Sequence, residues 1–136
     1  PRALRIALVR QRYNPYGGAE RFASRALATL AARGVRAAVV TRDWTGAEQP
    51  DGYDVLRVAP FHLGRLWRDW GFARAACARL AQERFDLVQS HERLACCDVY
   101  RAGDGVHRVW LERRARAAGP LACFAQSLSP YHRYVL

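Results

Sequence analysis

Leu4-Arg5-Ile6-Ala7-Leu8-Val9, then Arg10-Gln11-Arg12-Tyr13-Asn14-Pro15-Tyr16-Gly17-Gly18, then a periodic stretch from Ala19 to Arg33, then Val35-Arg36-Ala37-Ala38-Val39-Val40-Thr41: these residues decide the fold. The first run is short and rich in branched side chains, as a buried strand requires. Asparagine, proline and paired glycines then break regular structure. From Ala19 to Arg33 the spacing is helical, with Phe22, Ala23, Ala26, Leu27 and Leu30 on one face and Glu20, Arg21, Ser24 and Arg25 largely opposite. Gly34 is a natural stop for that helix. Val35–Thr41 reads as a second strand, so the whole is a strand, a glycine loop, a helix and a strand. Two strands joined that way are parallel, with a right-handed crossover.

The pattern repeats downstream. A polar stretch from Arg42 to Gly52 leads into a third strand, Tyr53 to Ala59, which Pro60 stops. Leu63 to Phe85 reads as a second amphipathic helix, with Leu66, Trp70, Ala73, Cys77, Leu80 and Ala81 at spacings of three and four. Asp86 to Ser90 is a fourth strand, His91 to Cys97 a loop, and Asp98 to Ala102 a fifth strand closed by Gly103-Asp104-Gly105. Alternation of this kind predicts an open, mostly parallel α/β sheet flanked by helices. Val106 to Ala118 reads as a basic helix, and a further helical stretch follows Gly119-Pro120. The chain stops on Tyr134-Val135-Leu136 in the middle of that pattern, so it is expected to be truncated at its C-terminal end.

The chain has 136 residues, with 22 basic against 12 acidic side chains and a formal net charge of +10; every basic residue is arginine. At 51% hydrophobic and 11% aromatic it can bury an ordinary core, which disfavours a disordered chain. The charge admits nucleic acid, an anionic membrane surface or a phosphorylated small molecule as partner. Arginine without lysine, among abundant alanine, also fits a GC-rich codon bias, which dilutes the charge signal. No apolar run approaches the ~18–20 residues that cross a bilayer, and Pro1-Arg2-Ala3-Leu4-Arg5 is no secretory signal, so a soluble cytoplasmic domain is expected. Cys77, Cys96, Cys97 and Cys123 include a vicinal pair but no CxxC, and are expected to be reduced, apolar fillers.

Three loops leave the carboxyl edge of the predicted sheet, where open α/β sheets bind ligands. Gly17-Gly18 opens a helix whose first amides and dipole favour an anion, although its spacing is neither a dinucleotide fingerprint nor a Walker A loop. The same pair also fits a plain tight turn. His91-Glu92-Arg93 follow the fourth strand; His91 fits a proton shuttle, a hydrogen-bond donor or a structural histidine. Asp104 fits a general base, a sugar-hydroxyl ligand or a turn residue. No nucleophile elbow occurs, and His91 with Cys96 and Cys97 lacks metal-ligand spacing. Arg108, Trp110, Arg113, Arg114 and Arg116 share a helix that could lie on an anionic membrane or be a solvated face. Arginine spread over every element, with no helix-turn-helix or RNP pattern, disfavours nucleic acid.

Taken together, Arg5 to Val9, Tyr13 to Arg21, Val39 to Trp44 and Cys97 to Asp104 resemble, in order, the N-terminal half of family 4 glycosyltransferases, and most of all the lipopolysaccharide core glucosyltransferases. The Asp98-Val99-Tyr100-x-Ala102-x-Asp104 stretch is the specific part. The resemblance implies a GT-B enzyme, with two Rossmann-like domains facing each other. The N-terminal domain shapes the acceptor site and the C-terminal one, absent here, holds a nucleotide-sugar, a UDP-sugar above all. Transfer would retain anomeric configuration without a metal ion, onto a lipid-linked or phosphorylated saccharide at the inner face of the cell membrane. At matching positions, Gly17 and Gly18 would face the donor diphosphate and sugar. Asp104 and His91 would be catalytic, with Glu92, Arg93 and Asp104 toward the acceptor. The fragment alone would bind no cofactor and be inactive. The alternative is a basic module that binds anionic membrane or nucleic acid without catalysis.

Overall fold

The structure, a computed structural model, describes residues 2–14, 16–45 and 52–102, together with Val109, Glu112–Arg114, Arg116, Ser129 and Pro130. Asp104, Arg108, Trp110 and Cys123 lie outside the described residues. Strands β1 (Arg5–Val9), β3 (Arg36–Thr41), β5 (Tyr53–Arg57), β6 (Leu87–Ser90) and β7 (Val99–Tyr100) form one sheet in the order β5-β3-β1-β6-β7, with every neighbouring pair parallel. This is the Rossmann-like order expected of alternating strands and helices, with β1 central.

Side chains alternate across β1 and so divide the core. Ala7 and Val9 point toward helix α2 (Gly64–Glu83), meeting Phe72, Ala76 and Leu80 together with Val88 and Leu94. Leu8 points the other way, with Ala37 and Val39, against Ala23 and Leu27 of helix α1 (Gly18–Ala32). Gly34, at φ +80°, turns the chain after α1 into β3, a conformation that strains any residue with a Cβ. The second helix ends on Arg84 in the left-handed region, φ 53°.

Four expectations need correction. The glycine loop and the polar stretch are not wholly irregular: β2 (Arg12–Tyr13) pairs in parallel with β4 (Asp43–Trp44), and the Tyr13 and Trp44 rings stack at 4.5 Å. Glu20, placed on the solvent side of α1 by its spacing, is 7% exposed, while Phe22 stands out under the Arg101 guanidinium at 4.8 Å. The buried face of α2 is Gly71, Phe72, Ala76 and Leu80, so Leu66 and Trp70 face outward; alanines at 73, 75, 76, 78 and 81 leave periodicity few bulky residues to fix the face. Finally, Cys77 and Cys96 are joined in a disulfide with Cα atoms 5.9 Å apart, tying α2 to the loop between β6 and β7, and only Cys97 of the described cysteines is free.

Candidate functional site

The order of strands reverses between β1 and β6, and the crevice of an open α/β sheet lies past the carboxyl ends of the two strands at that point. Val9 and Ser90 are paired in register, so Arg10 and His91 are the first residues beyond the ladder on either side. Their backbones stay anchored: the Arg10 N–H donates to the Val40 carbonyl at 3.0 Å and the His91 N–H to the Val9 carbonyl at 2.9 Å.

Arg10 is the centre of the site. One guanidinium nitrogen, Nη2, pairs with Glu20 Oε1 at 2.8 Å, Nη1 lies 3.1 Å from His91 Nδ1, and Nε donates to the Arg12 carbonyl at 3.1 Å. A guanidinium can only donate, so in this contact Nδ1 is the accepting atom. The carboxylate that holds Arg10 comes from the first turn of α1, where a negative charge also complements the helix dipole.

The neighbouring loop is equally constrained. Glu92 Oε1 accepts from the Gln11 N–H at 2.9 Å, while Ser90 Oγ donates to the Glu92 carbonyl at 2.7 Å and accepts from its N–H at 3.0 Å. Gln11 Nε2 donates to Asp69 Oδ1 at 3.1 Å, and that carboxylate also takes Arg68 Nε at 2.9 Å. The crevice therefore links β1, α1, α2 and β6 by polar contacts. Gly17 caps α1 with extended backbone and no side-chain cap, and its N–H donates to the Asn14 carbonyl at 3.0 Å. An added Cβ there would collide with the Glu20 carboxylate, whereas a Cβ on Gly18 would meet nothing within 4 Å. A side chain at position 17 would thus have to move the Glu20 carboxylate, and Gly18 leaves open backbone at the helix start.

Gly17, Gly18, His91 and Glu92 are thereby brought to one edge, as the spacing predicts. Arg93 follows in the same loop and is exposed. Arg113, Arg114 and Arg116 are helical and exposed. Arg10, Glu20, Gln11 and Asp69 were not singled out from sequence. Arg10 had a signal: it is the first residue after β1, just as His91 is the first after β6. Among the described residues no group of three or more His, Cys, Asp or Glu could hold a metal ion, and no helix is long and apolar enough to cross a membrane.

Beneath the glycine loop, Tyr13 is 1% exposed; its hydroxyl contacts Ser24 Oγ and donates to the Glu20 carbonyl at 3.3 Å. Burial, offset in part by the Ser24 hydrogen bond and reinforced by Tyr53, pushes its pKa up to about 12.

The profile of the family described as Glycosyltransferase Family 4 matches residues 16–134. No curated protein matches the chain. The crystal structure of WaaG, a glycosyltransferase involved in lipopolysaccharide biosynthesis, superposes with a TM-score of 0.78 at 25% identity, covering 96% of this chain and 33% of its own. The chain thus spans about a third of the length of that protein.

Proposed function

The chain belongs to glycosyltransferase family 4, and from that premise we propose that it is the acceptor-side domain of a retaining, metal-independent GT-B enzyme. In this reading the enzyme moves a sugar from a nucleotide-sugar, a UDP-sugar above all, to a lipid-linked, phosphorylated saccharide such as lipopolysaccharide core. The enzyme works at the inner face of the cell membrane, and a C-terminal domain outside this chain holds the donor. The supporting observation is the convergence of the Gly17-Gly18 helix start and the His91-Glu92 loop on one crevice, both held through Arg10.

Each part then has a task. Amides at the start of α1, approached over the open backbone of Gly18, stabilise the departing diphosphate as its charge develops. His91, held at Nδ1 by Arg10, lines the place of the transferred sugar and moves no proton. The donor phosphate takes the proton of the incoming hydroxyl. Glu92 spends one oxygen on the Gln11 N–H and offers the other to acceptor hydroxyls, with Arg93 and Asp104 on the same acceptor side. The test is transfer by the full protein that carries this chain, using a panel of nucleotide-sugars, a lipid-linked core saccharide and chelator, with product configuration read by NMR. Retention, indifference to chelator and a large loss of kcat in His91→Ala are expected. An inverted product, or unchanged transfer in both His91→Ala and Asp104→Ala, overturns the assignment.

A further inference from the structure

The start of α1 departs twice from its amphipathic pattern, burying Glu20 and leaving Phe22 60% exposed, and each departure meets an arginine at the carboxyl edge of the sheet. Val9, Ser90 and Tyr100 are paired in register across β1, β6 and β7, so Arg10, His91 and Arg101 are the next residues on three neighbouring strands. The Arg101 N–H continues the ladder, donating to the Ser90 carbonyl at 2.8 Å. The backbones of the two arginines thus flank that of His91, each one strand spacing, about 4.8 Å, away. Residues in parallel register point to one face, here the face that α1 covers. Glu20 takes the Arg10 guanidinium, and Phe22, two residues on, takes that of Arg101, whose central carbon lies 4.8 Å from the ring centroid.

The two seatings leave different chemistry. Arg10 is spent on a carboxylate, an imidazole nitrogen and a backbone carbonyl. Of the five half-buried arginines among the described residues, Arg5, Arg10, Arg42 and Arg68 each hold a carboxylate, and Arg101 holds none. A guanidinium drawn partly out of water without a counter-ion gains more from an arriving anion than a solvated one does. The ring of Phe22 meets Arg101 on its flat face, which leaves the N–H edge for the bidentate contact that a phosphate makes. Stacking also fixes part of the side chain in advance, so less freedom is lost when the anion binds.

We propose that Arg101, seated on Phe22, is a phosphate-binding residue of the crevice, its N–H edge taking a phosphate group of a substrate beside His91. That phosphate has two sources, the diphosphate of a nucleotide-sugar and a phosphate ester on the acceptor saccharide, and this choice of sources rests on the transferase reading. The test is a titration of the chain, followed by NMR at fixed ionic strength, with inorganic pyrophosphate in one arm and glucose 6-phosphate in the other. A saturable shift of the Arg101 and His91 signals is expected. Its Kd should rise about tenfold or more in Arg101→Gln and also in Arg101→Lys, which keeps the charge and loses the planar fork, with melting temperatures unchanged. Phe22→Leu should weaken binding as well, whereas Arg33→Gln, at the far end of α1, should leave it as it was. Tighter binding of pyrophosphate assigns the seat to the donor, and tighter binding of glucose 6-phosphate assigns it to the acceptor. No saturable shift in either arm, binding untouched by Arg101→Gln, or an Arg101→Lys variant that binds as well as the parent overturns the proposal. Because the titration involves no transfer, failure of the seat leaves the transferase reading standing, and an inverted product in the transfer assay leaves the seat standing.

Discussion

At the scale of the residue, the paired glycines divide into two roles that the sequence shows as one. A methyl group at position 17 must displace the Glu20 carboxylate, and that carboxylate is what holds Arg10 against His91. Gly17→Ala should therefore cost about 1–2 kcal/mol, the worth of a largely buried charge-assisted hydrogen bond, and should lower kcat with it. Gly18→Ala has open space, so its thermal melt should stay within about 0.5 kcal/mol of the parent while transfer falls, because the methyl group stands in the donor's approach. Equal melts for the two variants would contradict this division. The sequence pointed to both glycines but set Glu20 in solvent, since periodicity along α1 carries no knowledge of an arginine arriving from the end of β1. Tyr13 allows a second check. Its pKa stands at about 12 in the folded chain against 10.0 when unperturbed, so the protonated phenol favours the folded state. That contribution is complete below pH 10 and is lost as pH rises from about 10 to 12, by roughly 2 kcal/mol. In Tyr13→Phe the alkaline loss of stability measured by urea titration should shrink by that amount over the same window.

Elements were legible where they are long, and misread where tertiary contacts choose between equivalent faces. Both helices fall within two residues of their expected ends, because Gly34 and Pro60 punctuate the pattern and the apolar spacing continues over three turns or more. Which side of α2 is buried was not legible: Trp70 and Phe72 are both large and apolar, and the alanines between them fit either orientation. Phe72→Ala should cost about 3–5 kcal/mol by leaving a cavity between α2 and the sheet, whereas Trp70→Ala should stay near zero in a urea unfolding series. The opposite ranking would mean that the helix is rotated. Two-residue strands such as β2 and β4 are too short to show alternation, and their partners are 31 residues apart. The Cys77–Cys96 bridge was missed for a related reason, since nothing in a spacing of 19 shows that α2 passes the loop after β6. Closing that loop restricts the unfolded chain, so reduction should lower stability by roughly 3 kcal/mol. Cys97→Ser, which leaves the bridge intact, should not reproduce that loss on a non-reducing melt.

On the scale of the whole molecule, the sheet order follows from alternation and right-handed crossovers, and the crevice follows from the sheet order, which is why Gly17, Gly18 and His91 could be placed at that edge without coordinates. The net charge of +10 was harder to interpret, because a sum has no direction. Among the described residues seven of the 22 arginines are committed locally: Arg2 to Asp86, Arg5 and Arg79 to Glu83, Arg10 to Glu20, Arg12 and Arg42 to Asp43, and Arg68 to Asp69. These pairs lie at the sheet's amino edge, in the crevice, along α2 and on the small β2–β4 ribbon, so they form no stripe with the pitch of a nucleic-acid groove. A protein that lays a row of cations along a duplex releases a counterion for each phosphate it neutralises, and its affinity falls steeply with salt. Arginines as dispersed as these paired ones would engage only one or two phosphates at a time. Random duplex DNA should accordingly bind this chain weakly, with log K falling against log salt by a slope of about −2 or shallower in a fluorescence titration. A slope near −6 on DNA would show the arginines acting as one surface, and would restore the nucleic-acid module that the distribution of ion pairs argues against.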